Sequence, residues 1–123
     1  MADGHAIRCI SAAGEVSTVA GQPREQGSAD GPCGLARFSD PYGLALGGRA
    51  SSSTLYVADS GNQAVRCINT EDGSVSTVAG KSGEAGSANG WGGVARFTSP
   101  RALALAPDGS LLVAEEDAVR RIT

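Results

Sequence analysis

Three cysteines and one histidine are the residues of this 123-residue chain best able to hold a metal or attack a substrate. Cys9, Cys33 and Cys67 lie far apart, without the close pairing of metal-binding cysteines, and only His5 could join them. An odd cysteine count without such spacing argues against a disulfide framework as well. Any serine or cysteine nucleophile would have to take its base from His5, so no nucleophile, base and orienting group can be assembled. Glu115-Glu116-Asp117 is an acidic run where a turn is expected, and it reads as a solvated loop rather than a calcium site. No phosphate-cradling glycine loop stands between a strand and a helix. The expectation is a chain without catalytic residues, cofactor or metal. Cys9 and Cys67 are expected to be small buried side chains in strands.

Composition points the same way. Eighteen glycines against five aromatic residues, with Asp-Gly, Gly-Gly and Gly-Asn steps throughout, suit many short strands joined by tight turns. A net charge of −3 gives no basic field of the kind that draws nucleic acid or anionic membranes. The nine arginines outnumber the single lysine but are dispersed along the chain. No apolar run approaches a membrane span, and the first residues lack a charged region followed by an apolar one, so neither a signal peptide nor an anchor is expected. An intracellular setting is the resulting expectation, with the compartment itself unknown.

Laid on itself, the chain repeats. Ser17-Thr18-Val19-Ala20-Gly21 returns as Ser76-Thr77-Val78-Ala79-Gly80, a shift of 76 − 17 = 59 residues. Gly27 to Gly31 matches Gly86 to Gly90, and Ala36-Arg37-Phe38 matches Ala95-Arg96-Phe97, at the same shift. Leu55 to Asp59 then pairs with Leu111 to Glu115 at 111 − 55 = 56 residues, the difference falling in a loop. Ala64-Val65-Arg66-Cys67-Ile68 has relatives at Ala6 to Ile10 and Ala118 to Ile122. A fixed period with length changes confined to loops marks one supersecondary unit used more than once.

Each unit reads as four strands: an innermost (Tyr42 to Leu46), a second (Leu55 to Ala58), a third (Ala64 to Ile68) and an outer one (Ser74 to Val78). Turn chemistry separates them at Gly47-Gly48, Ser60-Gly61-Asn62 and Asp72-Gly73. Nearly continuous apolar strands fit sheets covered on both faces, as in stacked blades. The string from Asp40-Pro41-Tyr42-Gly43-Leu44-Ala45-Leu46 through Leu55 to Asn62 and on to Val65-Arg66, with its tail Ser76 to Gly80, resembles an NHL repeat. That resemblance implies an all-β propeller built from four-stranded antiparallel meanders. It departs at Ala64, where the family often carries an arginine, so that position supplies no ion pair to Asp59, and at Glu115-Glu116-Asp117, which replaces Asp-Ser-Gly-Asn.

The chain divides into a partial blade at residues 6–21, a full repeat at 22–80 and a partial repeat at 81–123, about two blades in an incomplete ring. Propellers close with about four to eight blades. The chain is therefore expected to be either the remainder of a larger propeller or a homo-oligomer, opening on the third strand Ala6 to Ile10. In a meander the second-to-third turn and the outer-to-next-blade connection share one face, here residues 22–40, 60–63, 81–99 and 115–117. Long loops on one face of a repeat protein are its usual binding surface. The phenylalanines are expected to plug between blades, and Arg37 and Arg96 to pair with a carboxylate or a carbonyl. Trp91 has no aromatic counterpart in the first loop and is expected to pack over the blade edge, with partner contact as the competing reading. Trp91, Arg37, Arg96, Asp30 and Asn89 are the candidate partner-binding residues. A protein partner or scaffold role is expected. RNA is the alternative, for which Arg24, Arg37, Arg96 and Arg101 are the arginines that could gather, and a propeller lyase or hydrolase fragment ranks last.

Overall fold

The computed structural model describes residues 2–47 and 54–122, so the expected turn residue Gly48 lies outside the described residues. Its strands are β1 (Ala2–Asp3), β2 (Ala6–Ile10), β3 (Val16–Gly21), β4 (Pro41–Leu46), β5 (Thr54–Asp59), β6 (Ala64–Asn69), β7 (Val75–Gly80), β8 (Ala102–Leu105), β9 (Leu111–Ala114) and β10 (Val119–Ile122). They form three antiparallel meanders, β1-β2-β3, β4-β5-β6-β7 and β8-β9-β10. The fold is all-β, a partial propeller, and one 3-10 turn at Ser60–Asn62 is the only helical element among the described residues.

The middle sheet is the complete blade. The first has its second, third and outer strands, and the last its innermost, second and third. The chain therefore opens one strand earlier than the expected Ala6 to Ile10, because Ala2 pairs with Ile7 and Asp3 with Ala6. Two residues are too few to show the alternation from which a strand is read.

Local chemistry sets the hairpins. Between β6 and β7 the Ser74 amide donates to Asp72 Oδ1 at 2.8 Å while Gly73 takes φ 76°. Between β8 and β9 the Ser110 amide donates to Asp108 Oδ1 at 2.9 Å and Gly109 takes φ 91°. Both are side-chain-mimicked turns closed by a left-handed glycine. The outer strands end on Gly21 and Gly80, where a Cβ would sit 2.7 Å from the His5 carbonyl oxygen and 2.6 Å from that of Gln63. With φ 84° and 91°, glycine there lets the strand end turn under the neighbouring phenylalanine.

The core lies between blades rather than within one. Ile7, Ala20, Ala36 and Phe38 meet Val57, Ile68 and Val75 across the first junction. Val65, Ala79, Ala95 and Phe97 meet Leu111 and Val113 across the second. Phe38 and Phe97 are both buried at the expected plugging positions. Cys9 and Cys67 depart from the expected burial, being exposed and half-buried. Strand alternation sends Cys67 to the face opposite the buried Arg66, where its Sγ lies 3.1 Å from Ser76 Oγ.

Candidate functional site

The expected loop-bearing face is assembled by hydrogen bonds between its parts. Asn62 donates to the Gly27 carbonyl at 2.6 Å, the Gly61 amide to that of Ser39 at 2.8 Å, and Ser82 Oγ lies 3.1 Å from Asn62 Oδ1. Two residues just before third strands hold the next loop by its left-handed hinge. The Asp40 amide (φ 47°) donates to His5 Nδ1 at 3.1 Å, and the Ser99 amide (φ 48°) to Gln63 Oε1 at 2.6 Å. His5 and Gln63 occupy equivalent positions, so the one histidine is a loop tether.

Each long loop then closes on itself and on an arginine. In the first, the Gly27 amide donates to the Phe38 carbonyl at 3.0 Å and the Arg37 amide to that of Ala29 at 2.9 Å. The second repeats this at Gly86 to Phe97, 3.1 Å, and Arg96 to Ala88, 2.9 Å. The pairing of third and outer strands slips by one residue at the same place in both blades, leaving Val78 and Val19 as the extra residues on the outer strands, while regular alternation along β6 puts Arg66 on the side of the loop.

Arg66 is the centre of the complete blade. Its Nη1 donates to Asp59 Oδ2 at 2.7 Å and to the Arg37 carbonyl at 2.9 Å. Its Nη2 donates to Asp30 Oδ1 at 2.8 Å and to the Ala29 carbonyl at 2.9 Å, and the guanidinium lies 5.0 Å over the Phe38 ring. Asp59 is 0% exposed. Burial pushes its carboxyl above the ordinary value, while Asn62, the Ser39 amide and Arg66 pull it down. The ion pair that Ala64 does not supply thus comes from Arg66. Arg120 rebuilds the same centre in the last blade, with Glu115 Oε1 at 2.9 Å, the Arg96 carbonyl at 3.1 Å, Asn89 Oδ1 at 2.7 Å and the Phe97 ring at 5.1 Å.

These contacts place the candidate partner-binding residues. Asp30 holds Arg66 and accepts from Thr77 Oγ1, 3.0 and 3.1 Å from its two oxygens, and Asn89 holds Arg120. Arg37 donates to the Gly34 and Ala36 carbonyls at 3.0 and 2.8 Å and pairs with Glu25 at 2.9 Å. Arg96 does the same with Gly93, Ala95 and, at 3.5 Å, Glu84. Both arginines therefore make the expected local pairs. Trp91 does not pack over the blade edge: it is 86% exposed. It takes the turn position of Pro32, its carbonyl accepting the Val94 and Ala95 amides at 2.8 Å, which leaves the indole no covering neighbour. Beside it a cleft of about 330 Å³ runs between Asn89-Gly90, Val78 and Arg120 to Ile122.

Arg66 and Arg120 stand in apolar strands rather than in the loops that usually carry binding residues, so their types and places do not single them out. The signal was there in the arginine at one position of all three third strands, Arg8, Arg66 and Arg120. Among the described residues no three of His, Cys, Asp and Glu gather as a metal site, and no helix is long and apolar enough to cross a membrane.

No family model matches the sequence, and no curated protein does. Solved structures do match it. A protein of unknown function from Bacteroides thetaiotaomicron superposes with a TM-score of 0.87 at 25% identity, over 97% of this chain and 30% of that one. An auxiliary nutrient binding protein from Bacteroides ovatus gives 0.82 at 22%, over 98% and 32%. One from Bacteroides thetaiotaomicron gives 0.76 at 20%, over 98% and 33%. The chain spans about a third of the length of each. The whole chain thus has the fold of a segment of larger proteins.

Proposed function

We propose that this chain is a non-enzymatic β-propeller module of NHL type that binds a protein partner on the face carrying loops 22–40 and 81–99. The observation that carries the reading is Trp91, 86% exposed on a loop whose Arg96, Glu84 and Asn89 side chains are spent on internal contacts. An exposed tryptophan on an ordered backbone is the anchor type most enriched at protein interfaces. The domain reading goes with it: a partial blade before residue 22, a full repeat at 22–80 and a partial one after, belonging to a larger ring or to an assembly of copies. RNA is disfavoured because Arg37 and Arg96 are engaged with Glu25 and Glu84, which neutralises the arginines that a basic footprint would need.

A small-molecule ligand is the second reading, favoured by the likeness to two auxiliary nutrient binding proteins. Peptide and glycan arrays probed with labelled chain and with Trp91→Ala separate the two. The expected result is peptide binding that falls about tenfold or more in the variant. Signal on glycans alone would replace the proposal by the second reading.

A further inference from the structure

Matching tethers hold the ends of the two long loops, and one of the two contains a group that can gain a charge. Loop 22–40 reaches β4 through Asp40, whose φ of 47° lies in the left-handed region and whose amide donates to His5 Nδ1 at 3.1 Å. Loop 81–99 reaches β8 through Ser99, with φ 48°, and that amide donates to Gln63 Oε1 at 2.6 Å. Left-handed backbone is disfavoured for residues with a Cβ, even aspartate, so such a hinge persists only while its surroundings hold it. Gln63 makes its bond with a blade on either side, so the tether belongs to the repeat and not to the first blade alone.

A glutamine oxygen accepts at any pH. An imidazole nitrogen accepts only while it carries no proton, so the bond from Asp40 fixes a neutral ring with its hydrogen on Nε2. Once Nδ1 is protonated, two N–H groups face each other and the bond is lost. Among the described residues the imidazolium then has one charged group within ion-pair distance, the Asp40 carboxylate, whose Oδ1 is 3.8 Å from Nδ1. That side chain is 67% exposed, and exposed pairs contribute little, so the new attraction does not replace the amide bond. The other elements against this turn bring no charge to it: β3 ends at Gly21 against the His5 carbonyl, and the Pro23 carbonyl lies against Gly4. Beyond Pro23, Arg24 is exposed, and Glu25 is taken up by Arg37 at 2.9 Å.

We propose that His5 and Asp40 form a pH-gated hinge: the end of loop 22–40 is held while the ring is neutral and released as the ring takes up a proton, whereas loop 81–99 stays tethered throughout. Two loops of matching design thereby behave differently across the range in which histidine changes charge, about pH 5 to 8. The hinge stands whether or not this face binds a protein.

Hydrogen exchange of the full chain, resolved to single amides and followed from about pH 8 down to about pH 5, tests it. The rate at Asp40 is divided by that at Ser99, which removes the pH dependence common to both amides. The ratio should rise about two- to tenfold on acidification, the equivalent of one hydrogen bond. Its midpoint should coincide with the titration of the His5 ring, which is unambiguous because the chain has one histidine. His5→Gln copies the tether of the second loop and should keep the ratio at its high-pH value throughout. A flat ratio in the unaltered chain overturns the hinge, and so does a midpoint that does not follow the ring. A ratio that still rises in His5→Gln assigns the release to another group and overturns it as well. The two measurements on the unaltered chain need no substitution, so they decide the matter even where His5→Gln folds poorly.

Discussion

Asp59 and Arg66 are both removed from water, so each depends on the other. Arg66→Ala would leave a buried carboxylate facing only Asn62 and the Ser39 amide, and the expected loss is about 3–5 kcal/mol, read from the urea midpoint. Arg37→Ala tests the opposite case. Its partner Glu25 is exposed, and pairs of that kind contribute about 0–1 kcal/mol, so the midpoint should hardly move. A loss in Arg37→Ala as large as in Arg66→Ala would contradict this ordering. The sequence suggested the reverse emphasis, since Arg37 and Arg96 recur inside conspicuous loop motifs. Arg66 is marked in the sequence only by the recurrence of arginine at Arg8 and Arg120, inside otherwise apolar strands, and which loop groups it meets is a property of tertiary pairing that a strand's own sequence does not display.

At the scale of elements, Phe97 joins a loop to two blades. Phe97→Ala should cost about 3–5 kcal/mol through the cavity left between Val65 and Val113. The Asp-Gly hairpins give a pH signature instead. Hydrogen bonds from Ser74 and Ser110 hold the Asp72 and Asp108 carboxyls below their ordinary value. Stability from these turns is therefore present above about pH 4 and lost as pH falls through their lowered folded values. Asp59 works in the other direction: burial raises its carboxyl, and the resulting contribution fades as pH rises through its folded value. Asp72→Asn with Asp108→Asn should flatten the acid limb of a midpoint-against-pH curve, and an unchanged limb would count against the turns as its source.

The strands themselves were legible because alternation, glycine steps and a 59-residue repeat agreed, and bounds such as Val75–Gly80 for Ser74 to Val78 moved by only one or two residues. Two features were not legible. β1 is too short to show a period, and the pairing of Gly31 with Val75 joins a loop to a strand in which neither sequence announces the other.

Across the whole molecule, identical positions report whether a neighbour is present. Val65 is 0% exposed against the last blade, whereas its counterpart Val119 is 71% exposed with no blade beyond it. Open faces and sheet edges of this kind favour association. Light scattering on the isolated chain should therefore give a mass above that of 12.3 kDa, rising with concentration, and a stable monomer across the range would refute the expectation. The outer strand β7 also shows a direction: one of its edges meets β6, and on the other Gly31 exchanges backbone hydrogen bonds with Val75 while Asp30 accepts from Thr77 Oγ1. Gly31 precedes Val75 by 75 − 31 = 44 residues and Asp30 precedes Thr77 by 47. Translation therefore makes the loop before the strand that it grips, so every partner of β7 is already in the chain when the strand itself appears.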